Sequence, residues 1–235
     1  MFVTCDFIGR LGNQLWQIAA VLGYAKKYGV RYGFPSYTLN RKEWPLYFNL
    51  PKMSGYSKTH REPQDLGYAE IPFYPKGVKL HGFFQSYKYF NSEVVDKMKE
   101  MLGFNFDPHA SDYVSVHVRR GDFLALTDTF PVLPMRYYED AIKYMREQGH
   151  EKFMVFSDDP EWCKENFDFP VACNDPVTDL KLMSSCAHHI IANSSFSWWA
   201  ARFGTGTVVA PKQWYGPGNA YINIEYLIPD QWLRL

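Results

Sequence analysis

The sequence has no excess of charge of either sign. Its 235 residues include 25 lysines and arginines and 25 aspartates and glutamates, so the formal net charge is zero. Nucleic-acid-binding proteins usually carry a basic excess, because they neutralise phosphates along the nucleic-acid backbone. The balance therefore argues against that class. A small anionic ligand needs only two or three well-placed cations, so binding of such a ligand stays possible.

Cysteines are few and unclustered. The four residues Cys5, Cys163, Cys173 and Cys186 show neither Cys-x-x-Cys spacing nor a Cys/His cluster of the kind that zinc requires. This argues against a zinc site and against a disulfide scaffold. We expect reduced, mostly buried thiols in a cytosolic protein that holds no metal.

Long hydrophobic runs are also absent. No apolar stretch approaches the ~18 residues that a membrane span needs. The first six residues lack a positive region followed by an apolar run, so no signal peptide is visible. We therefore expect a cytoplasmic protein without a transmembrane segment, and peripheral association with a membrane stays open.

What the chain has in quantity is aromatic residues, with 17 Tyr, 18 Phe and 7 Trp. Core packing accounts for most aromatic side chains in a folded protein. Those beyond the needs of a core often line carbohydrate or nucleotide sites. The hydrophobic share of 46% is ordinary for a globular protein and unlike a disordered one.

From residue 112 onward, strand patterns alternate with helix patterns. The predicted strands are 113–117, 152–157, 171–173, 188–192 and 207–210, and the predicted helices are 134–147, 160–166, 176–186 and 195–203. This alternation predicts an α/β fold in which helices cover both faces of a parallel sheet. Ligands of such folds bind outside the carboxyl ends of the strands, so site residues should follow strands.

The first half of the chain is less regular. A strand over residues 1–8, a turn at Gly9 and Gly12 and a helix over 14–28 open it. Residues 33–92 are predicted to be irregular, with short helices and a strand near 79–84, and Ser92 is predicted to cap a helix over 93–101. We place a domain boundary between residues 108 and 109, with the C-terminal segment free to pack back on the first domain.

Residues 9–14, Gly-Arg-Leu-Gly-Asn-Gln, are the first of three segments that suggest chemistry. The glycines allow close approach of the backbone to a ligand. The helix that follows offers free N–H groups and a positive dipole end to an anion. A tight turn that needs positive φ would explain the same glycines.

Residues 117–122, His-Val-Arg-Arg-Gly-Asp, are the second segment. Two adjacent arginines that leave a buried strand are costly unless they meet an anion or an acid. One can bind a diphosphate bidentately while the other pairs with Asp122 or another carboxylate. A purely structural ion-pair cluster is the alternative.

Residues 193–199, Asn-Ser-Ser-Phe-Ser-Trp-Trp, are the third segment. Hydroxyl and N–H groups at a helix N-terminus can hold an anion, although simple capping by Ser194 or Ser195 explains them as well. After another predicted strand, Asp158 and Asp159 suit contacts with sugar or ribose hydroxyls, or helix capping ahead of Pro160.

These motifs, in this order, resemble the α-1,2-fucosyltransferases, glycosyltransferase family eleven. The resemblance covers residues 3–28 and 110–215. It implies a GT-B-like fold with two Rossmann-like halves, the first abbreviated here. It also implies transfer of L-fucose from GDP-fucose to a glycan hydroxyl with inversion, without a metal, and with formation of an α-1,2 linkage.

The resemblance further implies residue roles. Arg119 corresponds to the catalytic arginine that meets the β-phosphate, supported by His117 and Arg120. Asp179 lies sixteen residues before Ser195, a spacing at which distantly similar α-1,6-fucosyltransferases place a guanine-reading carboxylate and a phosphate-binding serine. A solvent-facing place in a helix is the alternative for Asp179. The predicted donor-binding residues are Gly9, Arg10, Gly12, Asn13, Gln14, His117, Arg120, Asp158, Asp159, Asp179, Ser194 and Ser195.

Two alternatives to fucose transfer stay open. Another GDP-sugar, rhamnose or mannose, could be the donor, or the chain could be a non-catalytic module that binds a GDP-sugar or a glycan. No general base is evident from the sequence. Asp6, Asp122 and Asp158 are the acids nearest the motifs, and no pattern favours one of them.

Overall fold

The computed structural model describes residues 1–35, 50–52, 58–104 and 112–235. The chain divides into two compact units, Met1–Phe104 with Ile222–Pro229 and Asn105–Tyr221 with Asp230–Leu235. We call them the first and the second unit. The predicted boundary between residues 108 and 109 lies outside the described residues and stays a prediction.

A parallel sheet forms the centre of the first unit, and its described strands lie in the order β2-β1-β4-β3. The unit contains β1 (Phe2–Cys5), α1 (Leu11–Tyr28), β2 (Arg31–Tyr32), β3 (Lys58–Arg61), β4 (Val78–His81) and α2 (Ser92–Leu102). Strand β2 pairs with one side of β1, and β4 pairs with the other side of β1. The strand order therefore reverses between β1 and β4, the point at which such sheets bind ligands.

Helix α1 begins at Leu11, so the prediction that Gly12 belongs to a turn and that the helix starts at residue 14 is wrong. The N–H of Gln14 bonds to the carbonyl of Arg10 over 3.1 Å and closes the first helical turn. Gly9 alone in this segment has left-handed backbone, with φ of +79°. The turn is shorter than predicted because one glycine suffices for it.

Asn91, rather than the predicted Ser92, caps α2. The Asn91 side chain accepts from the N–H of Val94 over 3.2 Å, and Ser92 is the first helical residue. Either residue type suits an N-cap, so the sequence could not decide between neighbours. The Asn91 backbone is extended, as a capping residue requires.

Residues 33–92 are only partly irregular. Part of this stretch, 36–49 and 53–57, lies outside the described residues. In the described part β3 is an unpredicted strand, and β4 begins one residue before the predicted one and ends at His81. Beyond it Glu62 accepts from the N–H groups of Phe83 and Phe84, both over 2.6 Å, and holds a turn in which Phe84 has φ of +54°.

The second unit contains a larger parallel sheet. Its elements are β5 (Val114–Val118), α3 (Met135–Glu147), β6 (Phe153–Ser157), α4 (Pro160–Asn166), β7 (Val171–Ala172), α5 (Pro176–Ser185), β8 (His188–Ile190), α6 (Ser195–Phe203), β9 (Val208–Ala210) and β10 (Leu233–Arg234). The predicted alternation of strands and helices is confirmed. Only β10 has no counterpart in the prediction, because two residues carry no periodicity.

The strands of this sheet lie in the order β10-β9-β8-β5-β6-β7, and every described pair is parallel. The chain runs outward from β5 to β7 and then returns to place β8 on the other side of β5. The switch point therefore lies between β5 and β8. All five residues of β5 are buried, as expected for a central strand covered on both faces.

Helix α3 fixes one face of this sheet. Tyr138, Ala141 and Met145 lie in the core with at most 1% of their surface exposed. The hydroxyl of Tyr137 donates to the carbonyl of Ile191 over 2.6 Å. This bond ties the helix to the backbone that leaves β8, next to the switch point. Within the described residues, no helix has both the length and the hydropathy of a membrane span.

Candidate functional site

The carboxyl ends of β5, β6 and β8 bring the predicted residues of the second unit together. Arg119 and Arg120 follow β5, Asp158 and Asp159 follow β6, and residues 193–195 follow β8. Because the three strands are parallel neighbours, these side chains lie at one edge of the sheet. That edge is the switch point, where open α/β sheets bind their ligands.

Arg119 is held between two carboxylates. Its Nη1 lies 2.9 Å from Oδ2 of Asp158, and its Nη2 contacts Oδ1 of Asp122. Its guanidinium carbon lies 5.2 Å from the ring centre of Phe123. The Arg119 side chain is 15% exposed. An arginine clamped in this way keeps a fixed orientation while part of its surface stays accessible to an anion.

Arg120 has different partners. Its Nε donates to Oδ2 of Asp159 over 3.0 Å, and its guanidinium lies 3.9 Å from the ring centre of Trp162. Asp159 in turn caps α4 by accepting from the N–H of Trp162. Arg120 therefore joins β5 to the start of α4. Its role in donor binding stays a prediction.

Asp158 links the two arginines and fixes the turn after β5. Its Oδ1 accepts from the backbone N–H of Arg120 over 3.0 Å, while its Oδ2 pairs with Arg119. A Cβ atom on Gly121 would lie 2.2 Å from that Oδ2. The close approach of Asp158 therefore favours glycine at position 121, because a larger residue there would displace that carboxylate, and the motif alone does not show this.

His117 is buried behind Arg119. Burial lowers the pKa of His117 to about 3, and the Arg119 charge adds to the effect. Its ring lies against Phe196 of α6, with 5.5 Å between ring centres. Nδ1 of His117 has no hydrogen-bond partner among the described residues. A neutral imidazole here adds no charge to the site and connects β5 to the helix that follows β8.

The turn after β8 ends in the N-terminus of α6. Ser194 caps α6 by accepting from the N–H of Phe196 over 3.3 Å, and Ser195 is the first helical residue. Asn193 is buried, and its Nδ2 donates to the carbonyls of Pro131 and Trp214. The turn is therefore fixed from two sides, and it presents the N–H groups of the first helical turn at the edge that Arg119 occupies.

Asp179 lies in the first turn of α5, which packs against α6. It is 8% exposed, so the alternative of a solvent-facing residue is wrong. Its Oδ1 accepts from Nδ2 of Asn174 over 2.9 Å. Burial raises the pKa of Asp179, and the bond from Asn174 partly offsets that effect. Asn174 is a partner that sequence reasoning missed.

The Gly9–Gln14 segment lies in the first unit. Nε2 of Gln14 donates to the carbonyl of Gly9 over 3.0 Å, and Oδ1 of Asn13 accepts from Gln85. Arg10 is the N-cap residue of α1, without a side-chain capping bond. The missed residue is Gln17, which is fully buried and donates to the carbonyls of Ile8 and Gly82. Its position in the helical pattern marked it only as polar.

The described residues contain no group of three or more His, Cys, Asp or Glu that could hold a metal ion. The charged groups nearest the second-unit switch point are the arginines and aspartates described above. Two arginines and a helix N-terminus form a site suited to an anion such as a diphosphate.

A family model described as "Glycosyl transferase family 11" matches residues 48–225. The chain belongs to this family. The match includes β3 and β4 of the first sheet and, in the second unit, the Arg119 cluster and the turn after β8. The resemblance found from the motifs is thereby confirmed.

Curated relatives agree with this assignment. An "Alpha-1,2-colitosyltransferase" of Escherichia coli is 31% identical over 99% of this chain and 98% of its own length. A "Galactoside alpha-(1,2)-fucosyltransferase 1" of Bos taurus is 26% identical over 94% of this chain and 71% of its own length. The glycosyltransferase class of the chain follows from the family.

A solved structure supports the fold. The NodZ alpha-1,6-fucosyltransferase soaked with GDP-fucose covers 86% of this chain and 92% of its own, with a TM-score of 0.53 and 12% identity. At that identity the likeness concerns the fold alone. The predicted GT-B-like α/β fold with two parallel sheets is confirmed, and among the described strands the first sheet is the smaller of the two.

Proposed function

We propose that this family 11 glycosyltransferase moves L-fucose from GDP-fucose to a hydroxyl of a glycan acceptor, with inversion and formation of an α-1,2 linkage. The names of both relatives, a colitosyltransferase and a fucosyltransferase, specify that linkage. The observation that carries the proposal is the position of Arg119 at the carboxyl end of β5. It lies at the switch point, fixed by two carboxylates and beside the N-terminus of α6.

The leaving group explains why an arginine is needed there. When the bond between the anomeric carbon and the β-phosphate oxygen breaks, negative charge grows on the diphosphate. A donor that is already oriented stabilises this charge without reorganisation. Asp122 and Asp158 orient the Arg119 guanidinium before the donor binds. Ser195 and the backbone N–H groups of the first turn of α6 supply further donors.

Guanine recognition is the second part of the proposal. A carboxylate accepts hydrogen bonds from both N1–H and the 2-amino group of guanine, a donor pair that adenine and uracil do not present. Asp179 is buried in the first turn of α5, so its carboxylate bears a desolvation cost that a bound guanine would offset. We assign it the guanine-reading role.

Metal-independent transfer completes the mechanism. The proposal assigns charge stabilisation to Arg119 and to helix N–H groups, which are the chain's own donors. The sequence contains no Asp-x-Asp motif of the kind that chelates Mn²⁺ together with a sugar nucleotide.

Colitose is the second candidate for the transferred sugar. The colitosyl relative aligns with nearly the full length of both chains. Colitose is the 3-deoxy analogue of L-fucose, so the two donors differ by one hydroxyl. A site that hydrogen-bonds that hydroxyl would reject the deoxy sugar strongly, whereas a site that ignores it would accept both.

The test is transfer from a donor panel. The purified chain is incubated with lactose and, separately, the GDP-linked forms of fucose, colitose, rhamnose and mannose, and the products are identified by mass and by linkage analysis. We expect fucosylated lactose with an α-1,2 linkage. Binding of GDP without transfer from any donor would favour a non-catalytic binding module, and preference for another donor would change the sugar assigned.

A further inference from the structure

An asparagine in the loop before α5 holds the buried carboxylate of that helix. Asn174 lies between β7, which ends at Ala172, and α5. Its Nδ2 donates to Oδ1 of Asp179 over 2.9 Å. Asn174 is exposed to solvent, whereas Asp179 is 8% exposed. The loop that follows β7 therefore fixes one oxygen of the buried acid in the first turn of α5.

The start of α5 explains why these two residues meet. Asp175 is the N-cap residue and Pro176 is the first helical residue. The N–H of Asp179 bonds to the carbonyl of Asp175 over 2.9 Å and closes the first helical turn. Side chains of a helix point back toward its N-terminus, so the Asp179 carboxylate lies beside the loop that contains Asn174.

The other acid of this turn already has partners. Oδ1 of Asp175 accepts from the N–H groups of Val177 and Thr178, over 3.0 and 3.2 Å. Like charges four residues apart on a helix repel each other, so Asp175 adds to the cost of an ionised Asp179. The amide of Asn174 is neutral, so it stabilises the ionised Asp179 without bringing a further charge.

A carboxylate that reads guanine must lie in the plane of the base. The N1–H and the 2-amino group of guanine reach both carboxylate oxygens only in that plane, as in other bidentate pairs. The torsion that turns an aspartate carboxylate is broad, so the Asp179 side chain would not keep the plane by itself. The bond from Asn174 restricts this torsion. It uses one of about four acceptor sites of the carboxylate and leaves sites on both oxygens for the base.

The same bond favours the ionised form of the acid. Burial raises the pKa of Asp179, and the side chain and the backbone N–H of Asn174 act against this rise. A protonated carboxyl group would present an O–H donor to the two donors of guanine and would lose one of the two bonds. Asn174 therefore supports both the orientation and the charge that recognition of guanine needs.

We propose that Asn174 is a positioning residue that sets the preference of the donor site for guanine, by holding the Asp179 carboxylate in the plane of the base. This inference rests on the proposed use of GDP-fucose, with Asp179 as the residue that reads guanine. Loss of Asn174 leaves the carboxylate present but free to turn. Guanine must then order the carboxylate on binding, whereas hypoxanthine, which lacks the 2-amino group, forms only one bond to it.

The experiment compares binding of GDP with binding of IDP, in which hypoxanthine replaces guanine. We expect the parental chain to bind GDP about 10–100-fold more tightly than IDP, because IDP lacks one hydrogen bond to a charged group. Asn174→Ala should reduce this ratio by about 2–10-fold, the cost of ordering one side chain on binding. Isothermal titration calorimetry gives both dissociation constants for each protein.

A second variant and the kinetics separate positioning from a structural role. Asn174→Asp keeps the shape of the side chain but replaces the donor by a second carboxylate, so its ratio should fall at least as far as that of Asn174→Ala. In both variants the KM for GDP-fucose should rise by about 2–10-fold at near-parental kcat, since the contact with the base is the same in the ground state and the transition state. The melting temperature should stay near that of the parental chain, because Asn174 is exposed.

Asn166→Ala is the matched control. Asn166 is an exposed residue at the end of α4, and its Nδ2 donates to the carbonyl of Trp162 over 2.8 Å. This variant should keep the parental ratio. An Asn174→Ala protein that keeps the parental ratio, or that binds both nucleotides more weakly by the same factor, would overturn the inference. A parental chain that binds GDP and IDP equally would instead remove the guanine-reading role proposed for Asp179.

Discussion

Arg119 and Arg120 are neighbours in sequence whose side chains have different tasks. Arg120 lies over the Trp162 ring and pairs with the residue that caps α4, so it fastens one element to another. Arg119 pairs with two carboxylates that are 39% and 26% exposed. Pairs with that much solvent contact contribute little to stability. The two arginine side chains are 15% and 17% exposed, so their partners and not their exposure separate the role proposed for Arg119 from that of Arg120.

Arg119→Ala tests this separation. We expect kcat to fall by about 10²–10³-fold, the cost of losing one preorganised donor to a developing anion. Arg119→Lys should recover only part of the rate, because an ammonium lacks the planar fork. The free energy of unfolding should fall by no more than about 1 kcal/mol for each ion pair lost. Steady-state kinetics and chemical denaturation of both variants measure these effects.

Arg146→Ala is the matched control for Arg119→Ala. Arg146 lies in the last turn of α3 and pairs with Glu151 over 3.5 Å, away from the carboxyl edge of the sheet. This variant should keep the parental kcat. If Arg119→Ala instead loses about 3–5 kcal/mol of stability while its folded fraction turns over normally, the arginine is structural.

Asp179→Asn should change affinity and stability in opposite directions. The variant should bind GDP about 1–3 kcal/mol more weakly, because guanine donors would be left unpaired. Its stability at neutral pH should be equal or higher, because burial raises the pKa of Asp179 and neutralisation removes that desolvation cost. Calorimetry with GDP and thermal unfolding measure the two effects.

Asp175→Ala on the same helix is the comparison for Asp179→Asn. Asp175 caps α5 through the N–H groups of Val177 and Thr178. Its loss should lower stability by about 0.5–2 kcal/mol and leave GDP affinity unchanged. Equal GDP affinity in both variants would show that Asp179 has a structural role and does not read guanine.

At the scale of elements, α1 depends on one glycine. A Cβ atom at Gly23 would lie 1.9 Å from the backbone carbonyl oxygen of Tyr89. Alanine favours a helix by up to about 1 kcal/mol relative to glycine. Overpacking against a backbone costs about 1–3 kcal/mol, so the clash should prevail and Gly23→Ala should be destabilising.

Chemical denaturation of Gly23→Ala measures the result. Lys27→Ala, an exposed position one turn later on α1, is the control and should change the unfolding free energy by less than about 0.5 kcal/mol. A stabilised Gly23→Ala protein would show that the Tyr89 segment moves away from α1 at little cost.

At the scale of the whole molecule, two buried histidines couple folding to pH. Burial is the main cause that lowers the pKa of His117 and of His189 to about 3. An unfolded histidine has a pKa of about 6.5, so the unfolded chain takes up protons below that pH and the folded chain does not. Stability should therefore be fully present above pH 6.5 and decline as pH falls toward 3.

His189→Gln tests this coupling. Each histidine should contribute up to about 1.4 kcal/mol per pH unit to the slope of the unfolding free energy. The slope between pH 6 and pH 5 should be smaller by about that amount in the variant, whatever its absolute stability. Denaturation curves at the two pH values give the slope, and an unchanged slope would contradict the buried neutral state of His189.

Metal dependence is also a property of the whole catalyst. Because arginine and helix N–H groups are proposed to stabilise the leaving GDP, transfer should persist in EDTA at close to its untreated rate. The measurement is transfer from GDP-fucose before and after chelation and after addition of Mn²⁺. Loss of most activity in EDTA, with recovery on addition of Mn²⁺, would contradict the proposed metal-independent mechanism.

Several features could be predicted from sequence because they depend on local pattern. The alternation of apolar strands with amphipathic helices indicated the parallel sheet of the second unit. The polar segments that follow β5, β6 and β8 then had to lie at one edge, since carboxyl ends of parallel strands coincide. Segment 9–14 was less predictable, because Gly12 is as acceptable in a first helical turn as in a loop.

The sequence by itself determined the family, the α/β class and the arginine pair after a buried strand. Each of these follows from local spacing or from ordered motifs. Only the tertiary structure decided which acids hold Arg119, that Asp179 is buried beside Asn174, and that His81 meets Asp6 across 75 residues of chain. The physical reason is strand register, because pairing β1 with β4 places side chains in contact whatever their separation in sequence.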